Sequence, residues 1–236
     1  MVPYFTNQRN KFANACGHLD LYWKISPITY SNYIVLKSEL SAYVKGRVLD
    51  AGAGNLTAKP ILTRLCESYL SLDIERRNVD VDMIDDIQTL SSIADSSFDT
   101  VYSSQVLEHV PRPWDAIKQI YRILKRDGYA VVTVPHLSAL HEEPYDFYRY
   151  TPHSLEYLFS REGFQVIKIK NMGGLLSFVF HPASMFLVLL FWPIPIIRWL
   201  VLYMNFFLLV LPIVYLDKML RLEKRFPANL LILARK

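Results

Sequence analysis

Two cysteines in 236 residues, Cys16 and Cys66, with no CxxC pair and no clustering with histidine, exclude a disulfide framework and a cysteine-based structural zinc site. No metal is expected from this pattern, and reduced thiols on the cytoplasmic side are. The first twenty residues, MVPYFTNQRNKFANACGHLD, lack the apolar run of a signal peptide, so the folded part is expected to stay on the side where it is made. Repeats and low-complexity tracts are missing as well. Charged residues are scarce, at 20% against 52% hydrophobic, which excludes a disordered chain. They are scarcest late in the sequence: Asp, Glu, Lys and Arg are absent from 171 to 197 and again from 199 to 216.

The charge that is present is unevenly placed. From Phe164 onward nine basic and two acidic residues give +7, whereas the preceding 163 residues carry −3. Basic residues thus bracket an apolar stretch, as expected for contact with an anionic membrane surface. Nucleic acid is the poorer partner, because no stripe of Arg interleaved with aromatics appears. The length suits one sizeable α/β domain with an appendage.

From about residue 31 to 171, short β-rich runs alternate with helical patterns, the signature of βα units on a mostly parallel sheet. SNYIVLKSELSAYV predicts a helix that Gly46 stops, and RVLDAGAG a buried strand entering a glycine-rich turn. LTAKPILTRLC follows as a helix with Pro60 in its first turn. YLSLDI, VDVDMI and SFDTVYSSQ read as strands two to four. PWDAIKQIYRILKRDG is the clearest amphipathic helix, with Ala116, Ile117, Ile120, Ile123 and Leu124 on one side and Gly128 as its stop. YAVVTVP is a fifth strand, TPHSLEYLFSREG a helix with a Thr or Ser start, FQVIKIK a sixth strand and NLLILARK a last β-like run.

The chemistry gathers at the glycine turn. In D-A-G-A-G, glycines let a ligand approach the backbone while a helix N-terminus offers N–H groups to an anion. Asp50 stands just ahead of the glycines, and Asp73 ends the second strand, where a carboxylate suits ribose hydroxyls. A dinucleotide is disfavoured, since the run Gly52-Ala-Gly54-Asn-Leu-Thr57 lacks the third glycine that pyrophosphate needs. An acid at 50 instead suits a cofactor with an ammonium group. S-adenosylmethionine carries that ammonium, a carboxylate and a ribose.

These motifs resemble those of the class I S-adenosylmethionine-dependent methyltransferases. VLDAGAGN is similar to the family's first motif, SLDI to its second-strand acid, IDDIQTL to its third motif, SFDTVYSSQVLEHVPRP to its fourth strand and loop, and ILKRDGYAVVTVP to its fifth. HEEPYDFYRYTPHSLEYLFSREGF resembles the segment leading to the sixth strand in one subgroup, and Leu56 stands where many members have Gly. The resemblance implies a Rossmann-like, doubly wound α/β sheet of seven strands in the order 3-2-1-4-5-7-6, strand 7 antiparallel, with an apolar helical hairpin inserted between strands 6 and 7. It divides the chain into an N-terminal helical cap (1–44), a cofactor-binding core (45–171), the hairpin (172–217), and a basic segment with the last strand (218–236). Cofactor contacts are implied for Asp50, Ala51, Gly52 and Gly54, for Asp73 and Ile74, and for Asp86, Ile87 and Gln105. Asp86 would lie near the adenine amino group.

Methyl transfer needs alignment above all, and a general base only where the acceptor must lose a proton. His141, in a segment rich in polar groups and aromatics, is the first candidate, followed by His109 and His136. His109 equally suits bracing of the loop, and Arg149 suits pairing with a carboxylate that holds it.

The apolar insertion falls into two blocks, about 172–192 and 196–216, each roughly long enough to cross a hydrocarbon core and separated by Pro193 and Pro195. Buried core helices, a two-pass hairpin with Arg198 near the far interface, and a re-entrant hairpin all fit. Because strands 6 and 7 share a sheet, both ends of the insertion belong on one side, which excludes an odd number of crossings. A shallow, proline-bent hairpin is preferred, since His181-Pro182 cuts the first block. The expected function is methyl transfer to a lipid or lipid-linked acceptor, by a membrane-associated enzyme with its catalytic part on the cytoplasmic side. A membrane-anchored methyltransferase of a soluble or polysaccharide acceptor, and a non-catalytic cofactor-binding membrane scaffold, are the alternatives.

Overall fold

The computed structural model describes residues 2–17 and 20–236. They form two compact units, one from residues 37–170 with 229–236 and the other from 1–36 with 171–228.

The first unit is built on a seven-stranded sheet of order β3-β2-β1-β4-β5-β7-β6. Its strands are β1 (Arg47–Ala51), β2 (Ser68–Asp73), β3 (Met83–Ile84), β4 (Phe98–Ser104), β5 (Leu124–Pro135), β6 (Gln165–Met172) and β7 (Asn229–Arg235). β1 pairs in parallel with β2 and β4, and β4 in parallel with β5. β7 runs antiparallel to β5, from Tyr129 opposite Arg235 to Pro135 opposite Asn229. The expected order and the reversed last strand are both present. β3 begins only at Met83: just ahead of it, where pairing with β2 would otherwise continue, the Ser71 amide and hydroxyl donate to the Asp82 carboxylate at 2.9 and 2.6 Å.

In chain order the helices are α1 (Val2–Cys16), which belongs to the second unit, α2 (Pro27–Tyr43), α3 (Lys59–Leu62), α4 (Pro113–Ile123) and α5 (Pro152–Arg161), the last two packing on the sheet. α4 buries Ala116, Ile117, Ile120 and Ile123 completely against the sheet, the stripe its spacing predicts. Each of the three isoleucines contributes about 1.5–3 kcal/mol of transfer free energy. α5 starts at Thr151, whose side chain accepts from the Ser154 amide while Ser154 reciprocates. Two sequence expectations shift. α3 is a single turn rather than a full helix, and α4 ends at Ile123, not at Gly128. Leu124 is already extended and pairs with Phe98, so strand pairing and burial override the helical propensity of LKRD.

The second unit is helical. Within it α6 (Leu175–Phe191) leads through a short turn to a continuous 23-residue helix, Ile197–Met219. That helix comprises α7 (Ile197–Asn205), a π turn (Phe206–Val210) and α8 (Leu211–Met219), and the short α9 (Leu222–Arg225) follows. Pro212 comes two residues after the π turn, where its missing N–H disturbs the regular ladder. Pro182, expected to cut the first block, lies inside α6 without ending it. A proline there removes only one intrahelical bond, and Ser184, Val188 and Leu189 just beyond it are buried.

Polar contacts organise this unit. Ser184 and Asn205 bond to each other at 2.9 Å and both donate to the Ile25 carbonyl, at 2.8 and 3.0 Å. Phe12, Cys16, Ile25, Val188, Leu189, Trp192 and Leu202 form its core. Among the described residues, Ile197–Met219 is the one helix long and apolar enough to cross a membrane. At 17 residues α6 is shorter than such a span needs.

Candidate active site

Parallel strands β2, β1, β4 and β5 lie side by side and bring the predicted residues to one edge, the carboxyl ends, where open α/β sheets take ligands. Asp50 and Ala51 close β1, Asp73 closes β2, Gln105 follows β4 and His136 follows β5. The turn after β1 requires its glycines. Gly52 has φ +82°, and a Cβ there would lie 2.2 Å from Val106 Cγ2. Gly54 has φ +52° with nothing within 4 Å of a Cβ position, so the backbone is open on that side.

The amide donors of this turn are used internally. Gly52 and Ala53 both donate to the Leu72 carbonyl, at 2.8 and 3.0 Å, and Gly54 donates to Asp73 Oδ2 at 2.7 Å. The expectation of amides free for an anion is therefore corrected, and α3, one turn long, adds no helix terminus worth the name. Leu56 adopts φ +58° while its side chain packs with Ala53 and Val81. Its burial offsets the strain of a left-handed backbone.

Asp73 is buried and, besides Gly54, accepts from the Glu75 amide at 3.4 Å. A carboxylate has about four acceptor directions, so lone pairs are left for hydroxyl donors. Ile74 beside it is 64% exposed, an uncovered apolar side chain next to a buried acid. Asp86 is occupied by the amide and side chain of Gln88, and Ile87 is buried. Gln105 turns the chain at φ +56°, tied by its amide and side chain to Thr133. An open backbone at Gly54, spare acceptor capacity on Asp73 and exposed Ile74 fit a nucleoside.

Asp50 lies deeper, 2% exposed, and accepts from Tyr69 Oη at 2.7 Å. Burial pushes its carboxyl up to about 7. The unfolded value is near 3.9, so between about pH 4 and 7 the folded state binds more protons, and stability falls as pH rises through that window. Asp50→Asn keeps an acceptor for Tyr69 without the charge. It should raise the thermal midpoint by about 4–8 °C at pH 8, or about 2 kcal/mol, and leave it nearly unchanged at pH 4; equal shifts at both pH values would refute the charge-burial explanation.

Two loops meet beside this edge, one after β4 and one after β5. Phe147 and Tyr148 amides donate to the Glu108 carbonyl at 2.8 and 3.3 Å, and Tyr150 Oη donates to the Leu107 carbonyl at 2.8 Å. Arg149 grips Asp146 with two bonds of 2.6 and 2.8 Å, the loop-holding pair expected from sequence, and Asp146 accepts from the His141 amide at 2.9 Å. His109 and His141 stack edge to face, ring centres 4.8 Å apart. His136 is tied to the Tyr150 carbonyl at 2.6 Å and does not join them.

Glu108 was not among the residues singled out from sequence. It is fully buried, neither carboxylate oxygen has a hydrogen-bond partner, and burial pushes its carboxyl up to about 8. Its Oε1 is 3.8 Å from His109 Nε2. An acid beside a histidine in LEHVP was the available signal, but only tertiary structure reveals that it is buried without a hydrogen-bond partner.

Comparison with known proteins agrees with this architecture. Residues 49–132 match a family model described as a methyltransferase domain. No curated protein matches the chain. Among solved structures, a SAM-dependent methyltransferase from Archaeoglobus fulgidus is 19% identical, with a TM-score of 0.54, covering 86% of this chain and 94% of that one. An S-adenosylmethionine-dependent methyltransferase from Mesorhizobium loti is 16% identical, with a TM-score of 0.56 and coverage of 87% and 98%. The cyclase SpnF is 17% identical, with a TM-score of 0.60 and coverage of 88% and 82%, so the fold also carries other chemistry. Residues 49–132 are thus similar to a methyltransferase domain, and the sheet order and glycine turn give the chain the fold shared by the class I S-adenosylmethionine-dependent methyltransferases.

Proposed function

We propose that this methyltransferase domain acts on a lipid or lipid-linked acceptor at a membrane surface on the cytoplasmic side. The observation that carries the reading is the uncovered apolar surface of the helix Ile197–Met219. Leu200, Phe207, Leu208 and Tyr215 are 59–70% exposed there, more contiguous apolar side chain than water tolerates. At about 1.5 Å per residue the helix is about 34 Å long, enough for the hydrocarbon core. The Arg198 guanidinium lies 5.4 Å from the rings of both Trp192 and Trp199, an aromatic and cationic grouping suited to an interface. The insertion is tied by its ends to neighbouring strands β6 and β7, which supports attachment from one side.

Bound S-adenosylmethionine would supply an activated methyl group. The chain's own residues orient the reactants: Asp73 accepts ribose hydroxyls, Gly54 lets the ligand lie against the backbone, and Ile74 flanks the adenine. Asp50 with Tyr69 stiffens the strand end behind the turn. Activation of the acceptor falls to the cluster of Glu108, His109 and His141.

Calorimetry with S-adenosylmethionine tests the cofactor assignment. Asp73→Asn should bind it about 10–100-fold more weakly, since charge-assisted hydrogen bonds are worth about 1.5–3 kcal/mol; undiminished affinity would remove Asp73 from the site. Incubating purified protein with methyl-labelled cofactor and total lipid extract should move label into the organic phase. Label confined to aqueous saccharide, or protein released fully by alkaline carbonate, would overturn the lipid-acceptor reading.

A further inference from the structure

We infer that Glu108, His109 and His141 form a binding site for one divalent transition-metal ion of the zinc class. One ligand atom from each of the three lies within 4.8 Å of the others. Two imidazoles and one carboxylate are a donor set that zinc takes with three protein ligands, leaving a fourth position open. Bonds of about 2.0–2.2 Å put tetrahedral donors about 3.4 Å apart, so the Glu108–His109 separation of 3.8 Å is nearly right and the whole set needs to contract by about 1 Å.

The surroundings of the three residues fit an ion better than a structural ion pair. Glu108 is fully buried with both oxygens unpartnered, a costly arrangement that a cation would relieve. His109 Nδ1 lies 2.6 Å from the Tyr145 carbonyl, and His141 Nδ1 lies 3.1 Å from the Ala139 carbonyl. A carbonyl can only accept, so in each ring Nδ1 carries the proton and Nε2 keeps its lone pair. Anchoring a ring through its other nitrogen is how metal-ligating histidines are usually oriented. Asp146, gripped by Arg149 and bonded to the His141 amide, fixes the loop that brings the third ligand. The open position would take an oxygen of the acceptor and ease its deprotonation, an extension that rests on the methyl-transfer reading; the ion site itself does not.

Tag-free full-length protein, stripped with a chelator, should take up one equivalent of zinc per chain in competition with a chromogenic chelator. Cobalt in its place should give the visible absorption of a low-coordinate site. Glu108→Gln and His141→Ala should each weaken zinc at least about tenfold, while His136→Ala leaves it unchanged. Circular dichroism and S-adenosylmethionine titration of the same preparations report folding and cofactor binding separately, so the ion site and the methyl-transfer reading fail independently. His141 is partly exposed, so its variant is expected to fold even if Glu108→Gln does not. No stoichiometric uptake by the wild type, or unchanged affinity in folded His141→Ala, would overturn the site.

Discussion

Replacing Gly52 by Ala should destabilise the sheet unit by about 2–5 kcal/mol and abolish measurable cofactor binding. Two costs combine. A left-handed backbone costs a non-glycine residue about 1–2 kcal/mol, and φ at Gly52 is +82°. Overpacking adds about 1–3 kcal/mol, because the new Cβ would meet Val106 Cγ2 at 2.2 Å. The atom in the way belongs to a side chain, which makes the explanation separable. In Gly52→Ala with Val106→Ala the steric part should be recovered and the conformational part should not. Gly54→Ala is the matching control: it meets nothing within 4 Å and should fold with a loss of only about 1–2 kcal/mol, while losing affinity for S-adenosylmethionine. Urea titrations of these three variants and of Val106→Ala alone measure this, and additivity of the Gly52 and Val106 effects would show that the close approach is not the cause.

Asp217→Ala should cost the helical unit about 2–9 kcal/mol, from two or three orphaned donors at about 1–3 kcal/mol each. Asp217 is buried, and its carboxylate accepts from the amides of Gly174, Leu176 and Ser177 at 3.1, 3.0 and 2.8 Å. It therefore caps the start of α6 from a distant part of the sequence, satisfying amides that no helical carbonyl can reach. Asp217→Asn, retaining one acceptor oxygen and losing the charge, should fall between the wild type and Ala. Hydrogen exchange at the first turn of α6 in detergent-solubilised protein reads the effect directly. Protection there as in the wild type would mean the cap is dispensable.

Asp217 also illustrates what is illegible in a linear reading. From sequence it is one of two acids in a basic tail region; in the folded chain it organises the opposite end of the apolar insertion. The insertion itself was visible, because a long absence of charge is a local property. Its partner was not: Phe12 and Ile25 complete its core, and the long-range polar contacts of Ser184 and Asn205 to Ile25 leave no periodic trace. Pro182 misled for a related reason. Proline weakens a helix locally, but packing beyond it decides whether the helix continues.

The strands themselves, the glycine turn and the acid ending β2 were determined by the sequence alone, since each rests on short-range patterning: alternation, turn residues and the spacing of an acid after glycines; the order of the strands was implied only by the family resemblance. Tertiary structure decided the rest. It closed the glycine-turn amides onto Leu72 and Asp73, ended α4 four residues early by pairing Leu124 with Phe98, and buried Glu108 beside His109 and His141. Those outcomes depend on which groups lose water and which find a partner across loops far apart in the chain, and desolvation and pairing are properties of the packed whole.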